Sequence, residues 1–153
     1  MPLTLILMRH AKSSWSDPLQ DDFDRPLNGR GRQSAPAIAG SLVKQGHLPD
    51  VVLVSGARRT VETWERMAAT LPETAVMESV PALYLAEPKV ILDVLRTQTA
   101  PTVMMIGHNP GFGFLATSLA TTLPDHPRFS RYPTAATTVF RFDAENWSDI
   151  DLG

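Results

Sequence analysis

The sequence contains no cysteine. That excludes disulfides, thiol nucleophiles and thiolate-held metals together, and it fits a reducing compartment. Charge of one sign is also scarce: 14 Lys and Arg stand against 16 Asp and Glu, a formal net charge of -2 over 153 residues. Such a balance favours neither a disordered chain nor a broad nucleic-acid-binding surface, so any electropositive region has to be local. Long apolar runs are missing too. The stretch Leu3 to Met8 lacks the basic flank and cleavage site of a signal peptide, and nothing else approaches the ~20 apolar residues that span a bilayer. No membrane association and a cytoplasmic location are the expectations. No repeat, low-complexity tract or linker divides the chain, so one domain over residues 1–153 is expected, large enough to bury about two thirds of the unfolded surface.

What is present is an alternation of short apolar runs with helical patterns. Leu3–Met8, Val51–Val54 and Thr102–Ile106 are each followed by a polar or glycine-bearing turn, the pattern of buried parallel strands in an α/β fold. Asn28 can cap a helix running to about Gln45, with Gly46 suited to its end and Pro36 placed to kink it. Val61, Trp64, Met67, Ala68 and Leu71 make one apolar stripe on a helix from Ala57 to about Leu71. Glu87-Pro88 opens a shorter helix to about Arg96, and a further helix is expected from Phe114 to Leu123. Thr137–Phe142 alternates as an edge or antiparallel strand would. Lys12–Arg25 and Pro124–Pro133 are rich in turn formers and are candidate walls of a site.

Ligands of open parallel sheets bind outside the carboxyl ends of the strands. Those ends carry Arg9 and His10, then Ser55, Arg58 and Arg59, then Gly107, His108, Asn109, Pro110 and Gly111. Two arginines and two histidines converging from distant segments suit phosphate, whose oxygens guanidinium forks match bidentately. A neutral imidazole is a competent nucleophile near pH 7, so His10 is the candidate to take a phosphoryl group, provided a backbone carbonyl holds its other N–H. His108 could donate to a phosphate oxygen. His47 and His126 have no partner at metal-ligand spacing, and neither a metal nor another cofactor is expected. Trp15 stands out because it follows Arg9-His10 closely in a polar loop.

Leu7-Met8-Arg9-His10-Ala11-Lys12-Ser13, Arg25-Pro26-Leu27, Ser55 to Thr63, and Gly107-His108-Asn109-Pro110-Gly111, in that order, resemble the histidine phosphatase superfamily. The short chain, the Arg25-Pro26-Leu27 element and the Gly-His-Asn-Pro turn are similar to its SixA-type phosphohistidine phosphatases. The resemblance runs from about Leu3 to Phe142. It departs from the family at Ala11, where glycine is usual, and at Gly56, where proline is usual. It implies a three-layer α/β/α sandwich, with the mostly parallel central sheet carrying one antiparallel edge strand, and a metal-independent phosphatase.

By position, the resemblance makes His10 the nucleophile, Arg9 and Arg59 the phosphate-binding arginines, and His108 the second histidine, with Arg58 the second choice to Arg59. It makes Ser13 and Ser16 small polar residues near the phosphate. The carboxylic acid of sugar-phosphate relatives has no clear counterpart; Glu87 and Asp17 are the candidates. An alkoxide must be protonated as it leaves, whereas a protonated phosphohistidine ring departs as neutral imidazole, so phosphohistidine or aryl phosphate suits the site better than sugar phosphate. The expected substrate is a phosphohistidine-bearing signalling protein. A small phosphate ester, or a binding module without turnover, are the alternatives.

Overall fold

The computed structural model describes residues 2–152. Five strands, β1 (Leu3–Arg9), β2 (Val51–Val54), β3 (Val76–Ser79), β4 (Thr102–Gly107) and β5 (Thr137–Phe142), form one sheet in the order β3-β2-β4-β1-β5. Four of them pair in parallel, and β5 runs antiparallel to β1 along one edge. Helices α1 (Gly29–Lys44), α2 (Arg58–Ala68), α3 (Pro88–Arg96) and α4 (Gly111–Leu119) connect and cover the strands.

Successive strand side chains point to opposite faces, and each face has its own core. Leu5, Leu7, Leu53 and Met105 pack with Ile91 and Leu95 of α3, Phe112 and Leu115 of α4, and Trp147. Ile6, Met8, Val52, Val54, Met104 and Ile106 pack with Ala35, Ala39 and Leu42 of α1 and with Trp64 and Met67 of α2. Two cores back to back on one sheet make the expected three-layer α/β/α sandwich. Each fully buried side chain of the size of Ile6 or Leu53 contributes roughly 2 kcal/mol by leaving water.

The order of connection decides where a site can form. From β1 the chain crosses to β2 and leaves a gap that β4 later fills, so the carboxyl ends of the three strands lie side by side. Arg9 is level with Gly107, and Ile106 with Val54. Two glycines let helices close on this edge. A Cβ at Gly31 would overlap the Lys12 carbonyl, and one at Gly111 the Ala86 carbonyl.

Several elements depart from the sequence-based expectations. β3 was not anticipated: it is four residues long at a sheet edge, mostly exposed, and has no apolar run to announce it. The helix expected from Ala57 to Leu71 spans Arg58–Ala68, its last positions giving way to a turn. The helix expected from Phe114 starts three residues earlier, at Gly111, because Asn109 Oδ1 accepts the Gly113 N–H and anchors the first turn. It stops at Leu119, where Ala120 turns extended. Asn28 caps α1 as expected, with its Oδ1 accepting the Gly31 N–H at 2.9 Å, and α1 continues as one helix through Pro36. The polar C-terminal stretch contains a buried anchor, Trp147, whose Nε1 donates to the Ala100 carbonyl at 2.7 Å.

Candidate active site

The strand ends open into a cavity of about 430 Å³ lined by Arg9, His10, Arg59 and His108 at its floor. His10 follows β1 directly. Its backbone is fixed on two sides, with its N–H donating to the Gly107 carbonyl and its carbonyl accepting from Ala135. Its Nδ1 lies 2.7 Å from the Ala11 carbonyl oxygen. A carbonyl only accepts, so Nδ1 carries the hydrogen and Nε2 carries the lone pair. Arg59 Nε donates to that Nε2 at 3.3 Å, which requires the same tautomer.

Thr63 sets this pairing. Its hydroxyl donates to the Arg59 carbonyl at 2.6 Å and accepts the Ala11 N–H at 3.0 Å, tying the first turns of α2 to the chain beyond His10. Burial chiefly, and then the charges of Arg59, Arg9 and Arg25, push His10 down to about 3 against the opposing hydrogen bond to Ala11. Burial and Arg59, with His10, push His108 down to about 3 as well. Both imidazoles are therefore neutral at pH 7.

His108 follows β4 with its ring centroid 5.5 Å from that of His10. Its Nε2 lies 2.8 Å from the Ser55 hydroxyl, while its buried Nδ1 has no partner among the described residues. Arg9 is similar: Nη1 reaches the Tyr132 carbonyl at 3.3 Å, but the buried Nε has no partner. Buried polar groups are rarely left unsatisfied, and those that are mark places where a ligand can supply the missing partner.

The wall comes from the loop after His10. Asp22 holds Arg59 twice, through its carbonyl at 2.7 Å and its carboxylate at 3.0 Å, and the same carboxylate accepts from Arg25 at 3.1 Å and from the Tyr84 hydroxyl. Burial would raise the Asp22 pKa, but the Tyr84 hydrogen bond and the two guanidiniums outweigh it and hold the carboxyl at about 2. Buried Arg25 also donates to Ser13 Oγ at 2.7 Å, and its guanidinium lies 3.7 Å from the centre of the Trp15 ring. Asn109 Nδ2 donates to the carbonyls of Arg131 and Tyr132, holding the segment that brings Pro133 and Thr134 to the cavity.

Of the catalytic and phosphate-binding candidates named from the sequence, Arg9, His10, Ser13, Arg59 and His108 line the cavity, as Trp15 and Asn109 also do, whereas Arg58, Ser16, Asp17 and Glu87 do not. Arg58 points outward, half-exposed, toward Glu65 at 3.9 Å, which favours Arg59 over it. Ser16 is exposed and bonds Ser14 instead of facing the cavity. Asp17 is spent on its own turn, accepting the Leu19 N–H, and Glu87 sits exposed at the start of α3. Neither acid candidate lines the cavity: Asp17 is tied to its own turn, and the Glu87 side chain, which makes no cap hydrogen bond, faces solvent.

Asp22 and Arg25 escaped the sequence reading as site residues. Both lie in Lys12–Arg25, the turn-rich stretch expected to wall a site, but Asp22 itself stands in an acidic run just before Arg25-Pro26-Leu27 that looks like a solvated loop until folding sets it against two arginines. Among the described residues, no group of three or more histidine or carboxylate side chains could hold a metal ion, and no helix is long and apolar enough to cross a membrane.

Residues 5–83 match the model of the histidine phosphatase superfamily, branch 1. An uncharacterized chloroplastic protein of Arabidopsis thaliana is 36% identical over 130 residues, 76% of this chain, and the chain spans 58% of that relative's length. A protein from Agrobacterium tumefaciens assigned as the phosphohistidine phosphatase SixA superposes with a TM-score of 0.79 at 29% identity, covering 94% of this chain and 93% of its own. The protein histidine phosphatase SixA in complex with tungstate superposes with a TM-score of 0.74 at 25% identity, covering 90% of this chain and 86% of its own. The matched stretch takes in most of β1 and all of α1, β2, α2 and β3, and with them Arg9, His10 and Arg59, and on that match the chain belongs to the histidine phosphatase superfamily.

Proposed function

We propose that the protein is a metal-independent phosphatase that forms a phosphohistidine at His10 and acts on phosphohistidine carried by a protein. The observation that carries this reading is the fixed tautomer of His10: Nδ1–H bound to the Ala11 carbonyl, and an Nε2 lone pair at the floor of a cavity lined by guanidiniums. Arg9, Arg59 and His108 are the groups that stabilise the phosphoryl oxygens in this reading, with the unpartnered Nε of Arg9 as one donor and Nδ1 of His108 as another when its Nε2 accepts from the Ser55 hydroxyl. The tungstate held by the SixA relative is an oxyanion of the same shape.

The chemistry balances without a carboxylic acid. Nε2 of His10 attacks phosphorus, and the bond from phosphorus to the substrate's nitrogen breaks. That nitrogen keeps the electron pair, and the substrate ring, protonated on its other nitrogen, leaves as neutral imidazole. His10 keeps its Nδ1–H throughout, so its own phosphorylated ring is equally disposed to leave. Water then attacks phosphorus, breaks the bond to Nε2 and gives dihydrogen phosphate with His10 restored. Asp22, the one carboxylate lining the cavity among the described residues, is held ionised by Arg59 and Arg25 and serves as no acid. That supports a leaving group that needs none.

The test is hydrolysis of a radiolabelled phosphohistidine protein beside an aryl phosphate, in chelator. The native protein is expected to release phosphate from both and to carry acid-labile label when quenched, and His10→Ala to do neither. Turnover of sugar phosphate at rates above the phosphohistidine protein would move the substrate to small esters. Tight phosphate binding with no label on His10 would make the protein a binding module.

A further inference from the structure

Two large apolar side chains line the cavity without serving either core. Trp15 is 75% exposed and Leu85 52% exposed, and neither belongs to the packed clusters on the sheet faces. Both are nevertheless held in place. Trp15 has one face of its ring against the Arg25 guanidinium, and Arg25 is itself fixed by Ser13 and Asp22. With three quarters of its surface in solvent, the ring keeps an open face.

Leu85 adopts φ of 49°, the left-handed region that a branched aliphatic residue enters only when its surroundings impose it. Unlike asparagine or aspartate, leucine has no side-chain hydrogen bond to gain there. Strain of this kind gathers at functional sites. Here it delivers an apolar side chain to the cavity, just beyond Tyr84, whose hydroxyl is bound to Asp22.

The direction of the reaction gives these residues a role. In an in-line displacement the attacking and leaving atoms lie on opposite sides of phosphorus. His10 is 4% exposed and attacks from the floor, so the leaving group points outward, past the wall. We infer that Trp15 and Leu85 form an apolar collar that receives the flat ring of the leaving group and selects phosphorylated rings, imidazole or phenol, over ringless phosphoryl compounds. This inference rests on the phosphatase reading of the site for its direction. Its predicate is the shape and polarity of the cavity mouth.

Binding of phenylphosphonate and methylphosphonate, measured by calorimetry, tests the collar without turnover. The native protein is expected to favour the phenyl compound by about tenfold, the range of an aromatic contact in a partly open site. Trp15→Ala and Leu85→Gly, the latter also free of the strain at φ, are each expected to collapse that ratio severalfold, and Trp15→Phe to keep most of it. A ratio near one in the native protein, or one unchanged in both truncated variants, overturns the collar.

Turnover of phosphoimidazole against phosphoramidate, a ringless compound with the same phosphorus–nitrogen bond, separates this from the reading beneath it. If the native protein hydrolyses neither and His10 takes no label, the phosphatase reading fails, while the phosphonate ratio still decides the collar. If both are hydrolysed, the same variants are expected to lower the phosphoimidazole preference in parallel with the phosphonate ratio.

Discussion

The floor and the wall of the cavity are built by different means. His10 and His108 each stand one residue beyond a buried parallel strand, level with one another through the sheet register, and are 4% and 2% exposed. Asp22, Arg25 and Trp15 come from a loop whose only regular element is the 3₁₀ turn Asp22–Asp24. In the floor, strand pairing places the two histidines, and their rings are neutral. In the wall, position follows from ionic hydrogen bonds that cross-link Asp22 to Arg25 and Arg59. A floor of this kind can hold a nucleophile to within the tolerance that phosphoryl transfer demands, whereas a wall tied by side chains can yield to a substrate.

The comparison can be broken most sharply at the floor. His108→Ala is expected to lower aryl phosphate turnover by about 10²–10³-fold, the usual consequence of removing one donor to a developing charge, with the fold retained by circular dichroism. Arg59→Ala is expected to cost at least as much, because it removes a donor and releases Asp22 inside the cavity. If either variant kept more than a tenth of native kcat/KM, the floor would not be the reacting centre.

Asp22→Asn tests the wall. The variant keeps an acceptor but loses the charge that restrains two guanidiniums, and kcat/KM is expected to fall by about tenfold, near the effect of weakening one charged hydrogen bond. A fall as large as that of Arg59→Ala would place Asp22 on the floor's side of the comparison.

Acid stability distinguishes the two regions by the pH window in which each acts, not by its sign. His10 and His108 sit near 3 in the folded protein against an ordinary value of 6.5. Between those values the unfolded chain binds protons that the folded chain refuses, so stability falls as pH drops below about 6.5, by roughly 1.4 kcal/mol per pH unit for each histidine. Asp22, held near 2 against 3.8, loses its contribution only as pH falls below about 4. Urea unfolding between pH 7 and pH 5 should therefore show a shallower slope in His108→Gln and an unchanged slope in Asp22→Asn.

The smallest effect is expected from the two carboxylates that face solvent. Glu87→Gln and Asp17→Asn should leave kcat/KM for aryl phosphate within about twofold, as surface substitutions do. A tenfold loss in either would show that the chain moves to bring an acid into the cavity.

Strand and helix positions were legible where a residue's neighbours in sequence decide its burial. β1, β2 and β4 announced themselves as apolar runs, α1 by its cap and α2 by its stripe, and the strand-end residues Arg9, His10 and His108 followed from those runs. β3 was silent because an exposed edge strand needs no apolar pattern. In sequence, the choice of Arg59 over Arg58 rested on position in the family resemblance alone, since both open the same helix.

What the sequence determined by itself was therefore the alternation of strands and helices, and with it which residues end each strand, because periodic burial is a local property of the chain. The tertiary structure decided the rest. It set Thr63 between Ala11 and Arg59, turned Asp22 from a loop acid into the partner of two guanidiniums, left Glu87 and Asp17 in solvent, and brought Trp15 and Leu85 to one cavity mouth. The Asp22–Arg59 and Thr63–Ala11 pairings join residues 37 and 52 positions apart. Their energies depend on distance and solvent exclusion, which exist only once the sheet has brought the strand ends together.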